Sequence, residues 1–407
     1  MTMHTPLPTD PEALMELGYR TGSTSYAPQL ILDHGKGMEV WDIQGKRYLD
    51  FLAGIAVNAL GHCHPRVVEA VQTQAGQAMQ ISNAYMSRAQ IRMQQLLVEL
   101  SFGDRVFACN SGAEANESAI KLARRYQRVV RGDTNRTEII SFNHSFHGRT
   151  LAAITATGQP KYHVGFEPLP PGFLYAEYND LASVEALIGP RTTAVLVEPI
   201  QGEGGIRPAA PGFLEGLREL CDKHGALLIF DEVQTGVGRT GHLFAYQHYG
   251  VTPDLMTLAK GLGGGVPVGA LVSTDEIFKG FVKGSHATTF GGNPLASAAA
   301  VAVLEVVSEP SFLAHVRAMG EYLVGKLNSL SGPLAPREVR GVGLMIGAEV
   351  GPKALAIMGA GRDLGLLFNT AGADTLRFVP PLIVQPDDID ACALIVQQAL
   401  DVVAARP

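Results

Sequence analysis

The chain has little charge, few cysteines and no long apolar run, and each scarcity removes a class of function. Of its 407 residues only 17% are charged, with 32 Lys and Arg against 39 Asp and Glu and a net charge of −7. The basic residues are scattered, so no cationic face for nucleic acid is implied. The four cysteines, Cys63, Cys109, Cys221 and Cys392, show neither the CxxC spacing of a metal site nor the density of a disulfide scaffold. Free thiols and no metal centre are expected. No apolar segment approaches the roughly 18 residues needed to span a bilayer. Met1 to Asp10 lack the basic stretch and apolar run of a leader. A cytoplasmic protein without a membrane partner is the expectation.

What is present is apolar and glycine-rich. Hydrophobic residues make up 46% of the chain, enough for a large core and more than one domain. The 46 glycines fall in short clusters between apolar runs, as turns and ligand loops do in an α/β fold. Residues 39–50 read as two strands joined by a turn at Gln44-Gly45. From about residue 65 short apolar strands alternate with amphipathic helices. Residues 194–197, 213–224 and 227–230 form one such βαβ unit, with Gly225 closing the helix, so a parallel sheet is predicted. After a helical run over 295–307, strands at 343–349 and 375–379 lead to a final helix beyond Pro386, which reads as part of a second, smaller domain.

Three strand ends carry candidate chemistry. An apolar strand at 107–109 runs into Asn110-Ser111-Gly112-Ala113-Glu114, where Ser111 and Glu114 have the spacing of a capping box. Ala115, Ala119, Leu122, Ala123 and Tyr126 then recur at helical spacing, so free N–H groups of a first helical turn face past the strand, an arrangement that suits a phosphate. The strand 226–230 ends in Asp231-Glu232, a carboxylate at the sheet edge where open α/β folds bind ligands. The strand 255–258 ends near Lys260, followed by Gly261-Leu262-Gly263-Gly264-Gly265, which permits close backbone approach to a lysine with a lowered pKa. Alone, each has an ordinary explanation as a helix cap or a surface lysine. In this order on one sheet edge they supply the anchor, electron sink and amine that pyridoxal phosphate requires.

The same residues lie in longer stretches: Ala56 to Pro65, Asn110-Ser111-Gly112-Ala113-Glu114-Ala115, Ser145-Phe146-His147-Gly148-Arg149-Thr150, Glu198-Pro199-Ile200-Gln201-Gly202-Glu203, Phe230-Asp231-Glu232-Val233-Gln234-Thr235-Gly236, Ala259-Lys260-Gly261 and Thr288-Thr289-Phe290-Gly291-Gly292-Asn293-Pro294. Over nearly its whole length the chain resembles the class III aminotransferases, closest to the acetylornithine branch. The resemblance implies the PLP-dependent transferase fold of type I, an α/β architecture with a large, mainly parallel sheet domain at 63–308. A small α+β domain would be formed by 309–407 with the N-terminal segment 1–62.

It also implies roles. Ser111, Gly112 and Ala113 would hold the cofactor phosphate, and Thr289 would reach the phosphate of a neighbouring subunit's cofactor, so a homodimer with shared sites is expected. Phe146 would stack on the ring, Asp231 would pair with its nitrogen and Gln234 would bond near its phenolic oxygen. Lys260 would carry the cofactor covalently and shuttle the proton. Arg149 and Arg377 resemble carboxylate-binding arginines, Glu203 a switch residue that pairs with Arg377, and Thr288 a further substrate contact. Ile55 stands where ornithine aminotransferases tend to carry a tyrosine, so a free α-ammonium would lose a polar partner and a neutral acyl amide is favoured. The expected reaction is transfer of the distal amine of N-acetylornithine to 2-oxoglutarate, in arginine biosynthesis. Succinylornithine, ornithine, GABA and acylated lysine remain alternatives, as does a non-catalytic cofactor-binding protein with the same motifs. Tyr26 receives no role.

Overall fold

The computed structural model describes residues 6–406. Its central element follows from the apolar runs. Thr192–Val197 and Leu227–Asp231 are buried along their whole length, as strands covered on both faces must be. They sit inside a seven-stranded sheet ordered Arg105–Cys109, Gly269–Ser273, Leu255–Leu258, Leu227–Asp231, Thr192–Val197, Glu138–Phe142 and Phe173–Ala176. Side chains alternate between faces. Val195, Val197, Leu228 and Phe230 pack with the helix Phe213–His224, whereas Ala194, Leu196 and Ile229 pack with the helix Gly112–Arg125.

The sheet is mainly parallel, as expected, with one strand reversed. Gly269–Ser273 runs antiparallel to both neighbours. Only residues 259–268 join it to Leu255–Leu258, and a parallel return needs a crossover of a dozen or more residues.

The turn at Gln44-Gly45 forms as expected between Glu39–Asp42 and Arg47–Asp50, with Asp42 Oδ1 accepting from the N–H of Gln44 and Lys46. The second of these strands pairs in parallel with Leu366–Leu367. The C-terminal strands form their own antiparallel sheet, ordered Glu338–Val342, Met345–Glu349, Thr375–Phe378 and Asn369–Ala371. The last helix is Pro386–Ala404, with Pro386 in its first turn where a missing N–H costs nothing. Among the described residues no single helix is long and apolar enough to cross a membrane.

Candidate active site

The carboxyl ends of the parallel strands surround a cavity of about 410 Å³. Its wall includes Ser111, Gly112 and Ala113 at the helix start, Phe146, Arg149, Asp231, Gln234 and Lys260. Eight of the residues expected from the sequence therefore meet in one place.

Ser111 is the N-cap, its Oγ accepting from Glu114 N at 3.2 Å. The reciprocal half of the capping box is displaced, because the Glu114 carboxylate accepts from the backbone N and the side-chain amide of Asn110, each at 2.8 Å, and not from Ser111 N. The Glu114 bond thus fixes the chain one residue earlier and leaves the first turn facing the cavity. A Cβ added at Gly112 would lie 2.6 Å from Val233 Cγ1, so only glycine lets the helix start approach the loop after Asp231 so closely.

Asp231 is buried inside a network that the sequence did not reveal. Its Oδ2 accepts from Asn116 Nδ2 and bonds His147 Nδ1, each at 2.7 Å, and its Oδ1 accepts from Val233 N. Thr257 Oγ1 in turn donates to Asn116 Oδ1 at 2.8 Å. Glu198 is buried on the same wall, accepting from Phe146 N and Gly202 N. Burial pushes its carboxyl up to about 7, the charge of His147 opposes this and Asp231 adds to it. A local signal existed for Asn116, which shares the helix stripe of Ala119, Ile120 and Ala123, where an amide needs buried partners. No such signal marked His147 or Glu198.

Lys260 is partly buried and follows its strand with a positive φ of 39°, which turns its side chain into the cavity. Burial lowers its pKa, opposed by the charges of Glu203, Asp231 and Glu198 and reinforced by Arg377. The amine is thereby held closer to its neutral, nucleophilic form.

Arg149 is exposed at the rim, its guanidinium 3.9 Å from the ring centre of Tyr162 and 5.4 Å from that of Phe146. Arg377 and Glu203 pair at 2.5 Å, and Asn369 accepts from Arg377 Nε, but neither member of the pair lines this cavity, although the charges of both act on Lys260. Thr288 and Thr289 do not reach the cavity of their own chain. Thr288 Oγ1 accepts from Asn110 Nδ2 and Gly291 N, and exposed Thr289 offers its carbonyl to Gln80. Tyr26 is 78% exposed. Among the described residues three buried polar atoms on the wall lack any partner, His147 Nε2, Gln234 Oε1 and Thr235 Oγ1.

The sequence profile of the family Aminotransferase class-III matches residues 21–400. An acetylornithine aminotransferase of Methanocaldococcus jannaschii is 52% identical over 363 residues, 89% of this chain and 91% of that protein. A succinylornithine transaminase of Citrobacter koseri is 50% identical over 370 residues, again 89% and 91%. The crystal structure of an ornithine aminotransferase from Toxoplasma gondii superimposes with a TM-score of 0.93 at 34% identity, covering 97% of this chain and 96% of that one. With this match over its whole described sheet and site, the chain belongs to the class III aminotransferases.

Proposed function

We propose that this aminotransferase uses pyridoxal phosphate to move the distal amine of N2-acetyl-L-ornithine to 2-oxoglutarate, giving N-acetylglutamate 5-semialdehyde and glutamate. The observation that carries the reading is the convergence of Lys260, buried Asp231 and the open helix start at Gly112 on one cavity.

The residues fit the cofactor. Ser111, Gly112 and Ala113 would hold its phosphate with helix N–H groups, Asp231 would face its ring nitrogen, Phe146 would cover the ring and Gln234, with an unsatisfied buried oxygen, would border it. Bound there, it would supply an aldehyde that takes up amines and a protonated ring that accepts electrons from the substrate carbon. Lys260 Nζ, with its lowered pKa, takes the proton from the donor carbon that bears the amine and returns a proton on the way back. Asn116 and His147 hold the Asp231 carboxylate in place, and Arg149 takes the donor carboxylate at the exposed rim. Arg377, released by Glu203, takes the carboxylate of 2-oxoglutarate or glutamate that has no counterpart in the ω-amine donor.

Two copies would share the sites. Exposed Thr289 lies beside Phe290, and Gln80 ties this loop to the segment bearing the exposed Tyr85 and Met86, an apolar surface suited to a second copy of the chain. We divide the chain into a large cofactor domain, 63–308, and a small domain joining 1–62 to 309–407, as the pairing of Leu49 with Leu366 supports. We place the reaction in arginine biosynthesis in the cytoplasm. A succinylated donor is the second reading, favoured by the succinylornithine transaminase relative.

Glutamate release from 2-oxoglutarate, measured with acetylornithine, succinylornithine, ornithine, GABA and acetylated lysine as donors, tests the assignment. A lead for N-acetylornithine supports it. A lead for ornithine or GABA overturns the donor, and no glutamate from any donor overturns the transamination.

A further inference from the structure

Residues Ala53, Gly54, Ile55 and Ala56 have φ of 51°, 64°, 65° and 63°, one turn of left-handed helix. It closes with Ala56 N donating to Leu52 O, Val57 N to Ala53 O and Asn58 N to Ala53 O. Three of the four residues carry a Cβ and one is β-branched, the combination that the left-handed region most disfavours. Such a turn persists only where its surroundings over-determine it, and such places cluster at functional sites.

The surroundings here are a clasp. Buried Asp50 accepts from Leu52 N at 2.9 Å and Ala53 N at 2.8 Å through Oδ1, and its Oδ2 bonds His62 Nε2 at 2.7 Å. His62, beyond the far end of the turn, is itself fixed by two backbone bonds to Gly37. Phe51 between them donates to Leu367 O and accepts from Val379 N. The result buries Ala53 and Ala56, turns Ile55 outward at 37% exposure and sets Val57 in the cavity wall. The segment also backs onto the lysine loop, where a Cβ at Gly265 would lie 3.1 Å from Asn58 Oδ1.

We propose that Asp50 and His62 are positioning residues for donor selection, clasping a strained left-handed turn that sets Val57 in the cavity wall, with exposed Ile55 two residues before it, as an apolar edge for the acyl end of the donor. The inference rests on the donor reading above. An apolar rim that cannot yield rejects a free ammonium by leaving it unpaired, whereas a loosened rim lets water or a polar group reach it.

The test is the ratio of kcat/KM for N-acetylornithine over ornithine, at saturating 2-oxoglutarate, in the holoenzyme. Asp50→Ala is expected to lower the ratio about tenfold, and Asp50→Asn, which keeps the Oδ1 acceptor and a bond to the His62 ring, to restore most of it. Ile55→Gly relieves the backbone strain and removes the side chain. It is expected to keep or raise Tm while lowering the ratio, so the proposal stays testable if Asp50→Ala does not fold. A purely structural clasp would lower both efficiencies in proportion, and an unchanged ratio in Asp50→Ala or Ile55→Gly overturns the proposal. If the wild type turns over neither of these donors, the donor reading has failed, and the clasp is then judged on the same ratio for an acylated and a free ω-amine that the wild type accepts.

Discussion

Arg377 and Glu203 form an ion pair at 2.5 Å in which the arginine is only 1% exposed. A buried guanidinium that loses its carboxylate keeps its charge and the full cost of desolvation, about 3–5 kcal/mol. Glu203→Ala is therefore expected to lower Tm, and a dicarboxylate that places its own carboxylate on Arg377 is expected to restore it. The same change is expected to raise the preference for glutamate over the ω-amine donor by about tenfold, equivalent to about 1.4 kcal/mol. Thermal unfolding with and without glutarate, with glutamate and N-acetylornithine kinetics beside it, checks both. No rescue by glutarate would mean that Arg377 stays out of reach of ligands.

Asn116 holds Asp231 Oδ2 at 2.7 Å, bonds the His147 carbonyl at 2.8 Å and accepts from Thr257. Asn116→Ala strands all three in a buried site, where each unsatisfied group costs about 1–3 kcal/mol. Cofactor affinity, followed by absorbance on titrating pyridoxal phosphate into the stripped protein, is expected to fall by roughly tenfold to a hundredfold. Affinity at the wild-type level would show that Asp231 needs no such support.

Burial raises the Glu198 carboxyl from its ordinary 4.5 to about 7. The folded protein binds this proton more tightly than the unfolded chain, so the contribution to stability is fully present below 4.5 and is lost as pH rises through about 7. Across that window the carboxyl is expected to remove about 1–3 kcal/mol of unfolding free energy. Glu198→Gln changes the absolute stability, because one backbone N–H then faces an amide, but it cannot titrate. Urea unfolding between pH 4.5 and 7.5 is expected to show a flatter loss of stability in Glu198→Gln than in the wild type, and parallel profiles would contradict the raised value.

The sequence announced residues that sit where local pattern changes. Asp231 and Lys260 stand at the ends of apolar strands, and Gly112 at a strand-to-helix turn, so period and punctuation located all three. The helix stripe gave a signal for Asn116, whereas nothing local marked His147 or Glu198, since their bonds to Asp231 and Phe146 span 84 and 52 positions and only the folded chain brings them together. The direction of Gly269–Ser273 was hidden for a different reason. A buried antiparallel strand carries the same unbroken apolar run as a parallel one, and only the short connection 259–268 distinguishes them. Glu114 shows the limit of motif spacing, because its carboxylate chose Asn110 over Ser111.

Gly112 is helical, so it is needed for space and not for an unusual backbone. A Cβ there would stand 2.6 Å from Val233 Cγ1 and 2.9 Å from Cγ2, and Val233 N is the donor to Asp231 Oδ1. Gly112→Ala therefore pushes on the residue that steadies the carboxylate. Overpacking of this kind costs about 1–3 kcal/mol, and cofactor retention is expected to fall by tenfold or more. Val233→Ala removes both γ-carbons, so the double variant Gly112→Ala with Val233→Ala is expected to regain most of the affinity, giving a favourable coupling of about 1–2 kcal/mol in a double-mutant cycle. A double variant no better than Gly112→Ala alone would show that the methyl group obstructs the phosphate site directly, and that the contact between helix start and carboxylate loop is incidental.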